Sequence, residues 1–191
     1  MSSVRYIDPR VLAQSAPVQT VVGEAPLVEF ERLADLLWPE TDSVAALAAP
    51  LAVRWQAQAA LRPVVGGVPQ TWLRLTVQAA PTLRCERCLG PMTLDLSFER
   101  DYRFVAEEAT AEIEDEVSEE DVLVWQRDFD LQALVEDELL MALPVVPKHD
   151  TCPVAVPFSV VDDDFIQSEA EKPNPFAALA LLKRDAKKGN E

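Results

Sequence analysis

Three segments in the middle of the chain alternate apolar and polar residues with a period of two, and this pattern most constrains the fold. The segments are 53–59, 73–79 and 94–98, and the parity of the third continues through Tyr102 and Phe104. Successive side chains on a strand point to opposite faces of a sheet, so this alternation is typical of strands with one buried face. A Gly-Gly pair between the first two segments predicts a turn. The sequence therefore predicts an antiparallel sheet with short connections.

A helix is predicted over 131–143, because apolar residues recur there along one stripe at helical spacing. Asp130 is a suitable N-cap, and Pro144 ends the helix. Glu138 falls on the apolar side of the stripe, where it either reaches water at the edge or forms a buried pair with an arginine. Shorter helices are predicted over 28–38 and 176–188.

The predicted fold class is α+β: an antiparallel sheet, either a meander or a partly open barrel, packed against one main helix, with short N- and C-terminal helices. The predicted core consists of apolar residues from the three strands and the helix: Val53, Trp55, Leu73, Leu75, Val77, Leu94, Leu96, Phe98, Leu134, Val135 and Leu139.

The length of 191 residues indicates one domain with terminal extensions. We expect a loosely held arm over 1–17, a single α+β domain over 18–160, and an acidic, Pro-rich tail over 161–191 that ends in the short helix. Segment 107–121 holds nine acidic residues and no base. Because like charges repel and stay solvated, we expect a disordered or loosely ordered loop there.

The charge balance restricts the class of partner. With 33 acidic and 17 basic residues, the formal charge is −16, which opposes non-specific binding to nucleic-acid phosphates. Such a charge serves either simple solubility or the binding of a basic partner. No apolar run approaches the length of a membrane span, and the first ten residues lack the apolar core of a signal peptide. These features predict a cytoplasmic protein with no membrane partner.

Two short segments each place metal-ligand side chains three residues apart. Cys85 and Cys88 form one half-site, and His149 and Cys152 form the other. Three thiolates and one imidazole make a tetrahedral structural zinc set, and four protein ligands leave no open position for a substrate. Reduced thiols without metal, a redox pair and a catalytic Cys–His pair are the alternatives.

No enzyme signature accompanies this set. The chain has no G-x-S-x-G, no P-loop and no G-x-G-x-x-G, and no two acids stand out as a catalytic pair. We therefore expect a protein that is not an enzyme.

Three motifs together resemble the YceD family of large ribosomal RNA subunit accumulation proteins. They are CERCLGP at 85–91, VEDELLMALPVVPKH at 135–149 followed by Cys152, and KPNPFA at 172–177. The resemblance implies a cytoplasmic, non-enzymatic role in the synthesis, processing or stability of 23S ribosomal RNA. Because the family has no agreed catalytic residues, the resemblance implies none in this chain.

Two kinds of partner are consistent with that role. The first is a basic large-subunit ribosomal protein or assembly factor, for which the acids of 107–121 imitate a phosphate backbone. The second is 23S rRNA or its precursor, bound directly by an arginine-bearing face of the sheet, unless those arginines form ordinary ion pairs. The arginines on or beside the strands are Arg74, Arg84, Arg87, Arg100 and Arg103. We select Arg84, Arg87 and Glu138 as interaction residues.

Overall fold

The computed structural model describes residues 4–38 and 52–155. The strands are β1 (Tyr6–Ile7), β2 (Thr20–Pro26), β3 (Ala52–Arg62), β4 (Gln70–Ala79), β5 (Thr82–Arg84), β6 (Pro91–Thr93), β7 (Leu96–Val105), β8 (Asp121–Val124) and β9 (Phe129–Asp130). The helices are α1 (Pro9–Ala13), α2 (Glu31–Ala34), α3 (Glu108–Asp115) and α4 (Leu131–Ala142), with a 3₁₀ turn over Leu27–Glu29. None of the helices in these two ranges is long and apolar enough to cross a membrane.

The main sheet has five strands in the order β2-β3-β4-β7-β8. The pairs β2–β3, β3–β4 and β4–β7 are antiparallel, and Trp55, Val77 and Phe98 lie side by side across three strands. Two small sheets, β5–β6 and β1–β9, accompany it. The predicted α+β class is confirmed, because the alternating segments are strands and the residues over 131–142 form the main helix.

The core contains the buried side chains of β3, β4 and α4. Of the predicted core residues, seven are buried: Val53, Trp55, Leu73, Leu75, Val77, Val135 and Leu139. Leu96, Phe98 and Leu134 are half-buried and pack against them. Leu94 is half-buried and lies outside this cluster, in the connection to β7, where its backbone N–H donates to the Pro81 carbonyl at 3.0 Å.

Segment 107–121 is a correction to the sequence-based expectation of a loop. It forms α3 and leads into β8, which pairs with β7 in parallel. The reason is Arg103, a buried guanidinium on β7 that is bound by Glu114, Glu120 and the Ser118 hydroxyl. The repulsion among the acids is offset because two of them neutralise this one buried cation.

The N-terminal arm also differs from expectation. Ile7 and Leu12 are buried, β1 pairs with β9, and the Asp8 carboxylate caps α1 by accepting from two backbone N–H groups. The predicted helix over 28–38 is interrupted at Phe30, whose backbone is extended. The Phe30 ring instead packs edge-on against Trp55, with the ring centroids 6.1 Å apart. Segment 161–191 and its predicted helix lie outside the described residues.

Candidate metal centre

The two predicted half-sites lie at neighbouring points of the fold. Cys85 directly follows β5, and Cys88 lies in the turn that leads to β6. His149 and Cys152 lie in the segment after α4. One ligand atom from each of the four residues lies within 4.8 Å of the other three. A Zn–S bond of about 2.3 Å implies ligand atoms about 3.8 Å apart in a tetrahedron, so small side-chain movements suffice to enclose an ion.

The first half-site is a tight turn of the backbone. Cys85 donates its N–H to the Gly90 carbonyl at 2.9 Å, and Leu89 donates to the Cys85 carbonyl at 2.8 Å. Leu89 closes the turn with φ 59°, a left-handed conformation that a branched side chain rarely adopts. The turn directs the Cys85 and Cys88 side chains to one point, where the second half-site meets them.

The second half-site is joined to this turn by backbone and side-chain contacts. Glu86 donates its N–H to the Pro147 carbonyl at 2.8 Å, and Cys88 Sγ lies 3.5 Å from His149 Nδ1. His149 Nε2 lies 3.1 Å from the Pro91 carbonyl. Because a carbonyl only accepts, Nε2 donates to it, and in a neutral imidazole the lone pair of Nδ1 is then directed at the thiols. A metal-binding histidine is commonly oriented in this way.

The electrostatics of the cluster favour a cation. Burial alone raises the pKa of the Cys85 thiol, but the backbone N–H groups of Cys88, His149 and Arg87 together lower this pKa to about 5. The thiolate form of Cys85 is therefore favoured. Burial and the neighbouring thiols raise the pKa of Cys152. A divalent cation removes the repulsion between the thiolates and allows all three to ionise.

The other predicted site residues lie in different surroundings. Arg84 and Arg87 are exposed beside Cys85 and Cys88, and neither forms an ion pair within the described ranges. Glu138 lies outside the cluster on α4, with 15% of its side chain exposed, and pairs with Arg100 at 3.5 Å. Of the two alternatives for Glu138, the structure shows a pair with an arginine, but the pair is not buried, because the Arg100 side chain is 59% exposed.

The arginines of the sheet are neutralised by neighbouring acids. Arg74 donates to Asp101 at 2.9 Å, and Arg103 is buried between Glu114 and Glu120. Together with the Arg100–Glu138 pair, these contacts match the ion-pairing interpretation for Arg74, Arg100 and Arg103, whereas Arg84 and Arg87 have no ion pair in the described ranges. The sheet face therefore offers few free cations to a polyanion.

An acidic ridge, which the sequence did not reveal as an ordered feature, runs along α3 and its flanks. It consists of the exposed acids Glu107, Glu108, Glu112, Asp115, Glu116, Glu119 and Asp121. None of them forms an ion pair with a base in the part of the chain that the structure describes. The missing signal was Arg103, whose burial beneath α3 cannot be inferred from local charge.

Residues 73–183 match the family model described as large ribosomal RNA subunit accumulation protein YceD. The chain belongs to the YceD family. The region matched to YceD contains all four residues of the cluster and the whole acidic ridge. A curated relative, the large ribosomal RNA subunit accumulation protein YceD of Haemophilus influenzae, is 38% identical over 113 residues, which are 56% of this chain and 63% of the relative. The alignment thus spans less than two thirds of the relative's length. No solved structure matches the chain.

Proposed function

We propose that the chain promotes the accumulation of large-subunit ribosomal RNA as a non-enzymatic assembly factor that binds a basic partner. The partner is a large-subunit ribosomal protein or another basic assembly factor. The observation that carries this proposal is the acidic ridge, whose carboxylates are exposed on α3 and its flanks and lack counter-ions in the described ranges. The printed name of the H. influenzae relative supplies the ribosomal context.

The ridge suits a basic protein for electrostatic reasons. Regularly spaced carboxylates on α3 present a row of negative charge, as a nucleic-acid backbone does, and the whole chain adds a formal charge of −16. Complementary charge accelerates association and favours partners of opposite sign. A ribosomal protein held in this way is kept from other polyanions until it is delivered to rRNA.

The test is binding of purified basic large-subunit ribosomal proteins at low salt. Glu108→Gln/Glu112→Gln/Glu116→Gln removes three ridge charges, and the control Glu29→Gln/Glu31→Gln/Asp95→Asn removes three exposed charges elsewhere. We expect roughly tenfold weaker binding for the ridge variant, equivalent to about 1.4 kcal/mol, and little change for the control. Equal weakening of binding by the ridge variant and the control would show that binding depends only on the total charge of the chain. Cells that lack the chain should have a lower ratio of 23S to 16S rRNA.

We also propose that Cys85, Cys88, His149 and Cys152 hold one structural zinc ion. Three sulfur ligands and one imidazole nitrogen match the preference of zinc, and a closed set of four leaves no position for a reacting water. Such a site needs a reducing compartment, since the thiols must stay unoxidised, and the cytoplasm provides one. The zinc then joins the exit of α4 to the turn between β5 and β6.

The zinc proposal is tested by elemental analysis of protein purified without chelator. We expect about one zinc per chain and its loss in Cys88→Ser. Cysteine substitution sometimes lowers yield, so His149→Ala gives a second measurement on the other half-site. Parent protein that contains no zinc after purification from zinc-sufficient cells would contradict the proposal.

A further inference from the structure

Most basic side chains in the described ranges are already engaged. Those with an acidic partner are Arg5, Arg32, Arg54, Arg62, Arg74, Arg100 and Arg103. Arg10 stacks on the Trp125 ring, 4.1 Å from its centroid. Arg84, Arg87, Arg127 and Lys148 have neither an ion pair nor an aromatic stacking partner within residues 4–38 and 52–155. Free cations are thus scarce in this chain, so their placement is informative.

Three of these four basic residues are sequence neighbours of ligands in the Cys3His cluster. Arg84 directly precedes Cys85, Arg87 precedes Cys88, and Lys148 precedes His149. All three are exposed. We call the turn over 84–91 together with 147–152 the knuckle.

The two halves of the knuckle are held together at the level of the backbone. The Glu86 N–H to Pro147 carbonyl bond of 2.8 Å and the Cys85 Sγ to His149 N–H contact of 3.5 Å join them. Basic residues from segments far apart in the sequence are therefore carried by two backbone segments in direct contact, and a bound ion would make that contact more rigid.

The knuckle differs in charge from the rest of the molecule. It carries two exposed acids, Glu86 and Asp150, against the three bases, whereas the whole chain has a formal charge of −16. An ion held by three thiolates would add a net negative charge at the buried cluster, so the knuckle as a whole is close to neutral. What it offers a ligand is therefore a set of exposed hydrogen-bond donors at short range. The planar guanidinium is suited to bind phosphate oxygens in pairs.

Leu89 gives an independent indication at the tip of the knuckle. Its backbone has φ 59° and its side chain is exposed, with a relative accessibility of 52%. Glycine adopts this conformation without steric cost, whereas a leucine is strained there. An exposed leucine contributes little to the core, so its strain is not offset by burial. An exposed apolar side chain two positions after Arg87 is suited to pack against the face of an unstacked nucleobase.

We propose that the exposed surface of the knuckle, formed by Arg84, Arg87, Lys148 and Leu89, is a contact site for single-stranded RNA. The three basic side chains bind backbone phosphates, and the Leu89 side chain packs on a nucleobase. This inference deepens the proposed role in rRNA accumulation, on which the choice of RNA rests. It assigns RNA to the knuckle and the basic protein to the acidic ridge, and it leaves the paired arginines of the sheet without a role in binding.

The test is fluorescence anisotropy of the full chain with a labelled single-stranded 12-nucleotide RNA, measured between 50 and 200 mM salt. The variant Arg84→Gln/Arg87→Gln/Lys148→Gln is compared with the control Arg54→Gln/Arg62→Gln/Arg74→Gln, which removes the same charge from the sheet face. We expect at least tenfold weaker binding for the knuckle variant and a change within twofold for the control. The slope of log K against log salt should fall in magnitude by about 2, since each phosphate contact on a single strand contributes about 0.7.

Three results would overturn the proposal: no binding of this RNA by the parent at 50 mM salt, equal weakening in both variants, or loss of ribosomal-protein capture instead of RNA binding in the knuckle variant. Metal content and circular dichroism equal to the parent establish that the variants are folded. If the knuckle variant misfolds, the RNA affinity of Leu89→Gly provides the deciding test of the contact. We expect this variant to be at least as stable as the parent and to bind RNA several-fold more weakly, whereas unchanged RNA binding would count against the contact.

The two proposals fail separately. The ridge variant Glu108→Gln/Glu112→Gln/Glu116→Gln should lose basic-protein capture and keep RNA binding, because its substitutions leave the knuckle intact. If the ridge variant captures the basic protein normally while the knuckle variant loses RNA, the assembly-factor mechanism is wrong and the RNA contact stands.

Discussion

At the residue scale, Gly23 on β2 is the described glycine at which an added Cβ would have the least space. Gly23 lies opposite Trp55 in the β2–β3 pair, and a Cβ at this position would lie 2.2 Å from the indole ring. Trp55 is buried and cannot move aside. We expect Gly23→Ala to lower the free energy of unfolding by about 1–3 kcal/mol, measured by urea denaturation. Gly67→Ala in the β3–β4 turn, where the nearest atom is 3.4 Å away, serves as the control.

Asp101 on β7 gives a pH-dependent prediction. The Arg74 guanidinium lowers the pKa of this carboxyl, burial opposes that shift, and Arg62 lowers the pKa further. The ionised form is therefore favoured in the folded state, and its contribution to stability is present above the unfolded pKa of about 3.9 and is lost as the pH falls towards the folded value. We expect Asp101→Asn to be less stable than the parent at pH 7 and the difference to close below about pH 4. A difference that stays constant in acid denaturation series would contradict this assignment.

Individual site residues were predictable from sequence where their signal is local. The three-residue spacing of Cys85 with Cys88 and of His149 with Cys152 marked both half-sites, and the structure brings their ligand atoms together. Lys148 and Leu89, which we propose as RNA contacts, could not be selected from the sequence, because exposure, free charge and a left-handed backbone depend on how the two turns meet. The environment of Glu138 likewise depended on Arg100, which lies on another element.

At the element scale, the attachment of α3 to β7 depends on two of the nine acids in segment 107–121. The Arg103 side chain is 7% exposed and is bound by Glu114 and Glu120. Removing both partners leaves a nearly buried cation unpaired. We expect Glu114→Gln/Glu120→Gln to lower the free energy of unfolding by about 2–3 kcal/mol, less than the roughly 3–5 kcal/mol for fully buried pairs, because Glu114 is partly exposed. Thermal and urea unfolding measure this change.

The matched control is Glu112→Gln/Glu119→Gln, which removes the same charge from exposed positions of the same region. We expect this control to leave stability unchanged or to increase it slightly, because it reduces repulsion along the ridge. Equal destabilisation by the two double variants would show that Arg103 does not anchor α3.

Strands and the main helix were predictable because their periodicity is a property of each segment alone. The parallel pairing of β8 with β7 was not predictable, since it requires α3 to cross between them. The acids over 107–121 indicated a loop when their mutual repulsion was considered alone. Their helix forms because a cation from a strand lies beneath it, which is a tertiary effect.

At the scale of the whole molecule, a bound metal would link the stability of the fold to metal supply. An ion that binds only the folded chain stabilises it by mass action, by about 4 kcal/mol when its free concentration is a thousand times the dissociation constant. We expect a chelator to lower the melting temperature of the parent in scanning calorimetry. Cys88→Ser should melt at the lower temperature with or without chelator. An equal chelator effect on both proteins would place the responsible ion elsewhere.

The long-range pairing of the fold has a consequence for its synthesis. β1 pairs with β9 across most of the domain, and Cys88 meets His149 over 61 positions. As the nascent chain leaves the ribosome, β3, β4 and β7 can pair in turn, because each follows its neighbour closely in sequence. β1 has no strand to pair with until Phe129 of β9 has emerged. Cys85 and Cys88 stay without the second half-site until Cys152 follows. The newly made protein therefore passes through a period in which its thiols are accessible to oxidants and foreign metals, and a faster supply of the last third of the chain shortens that period.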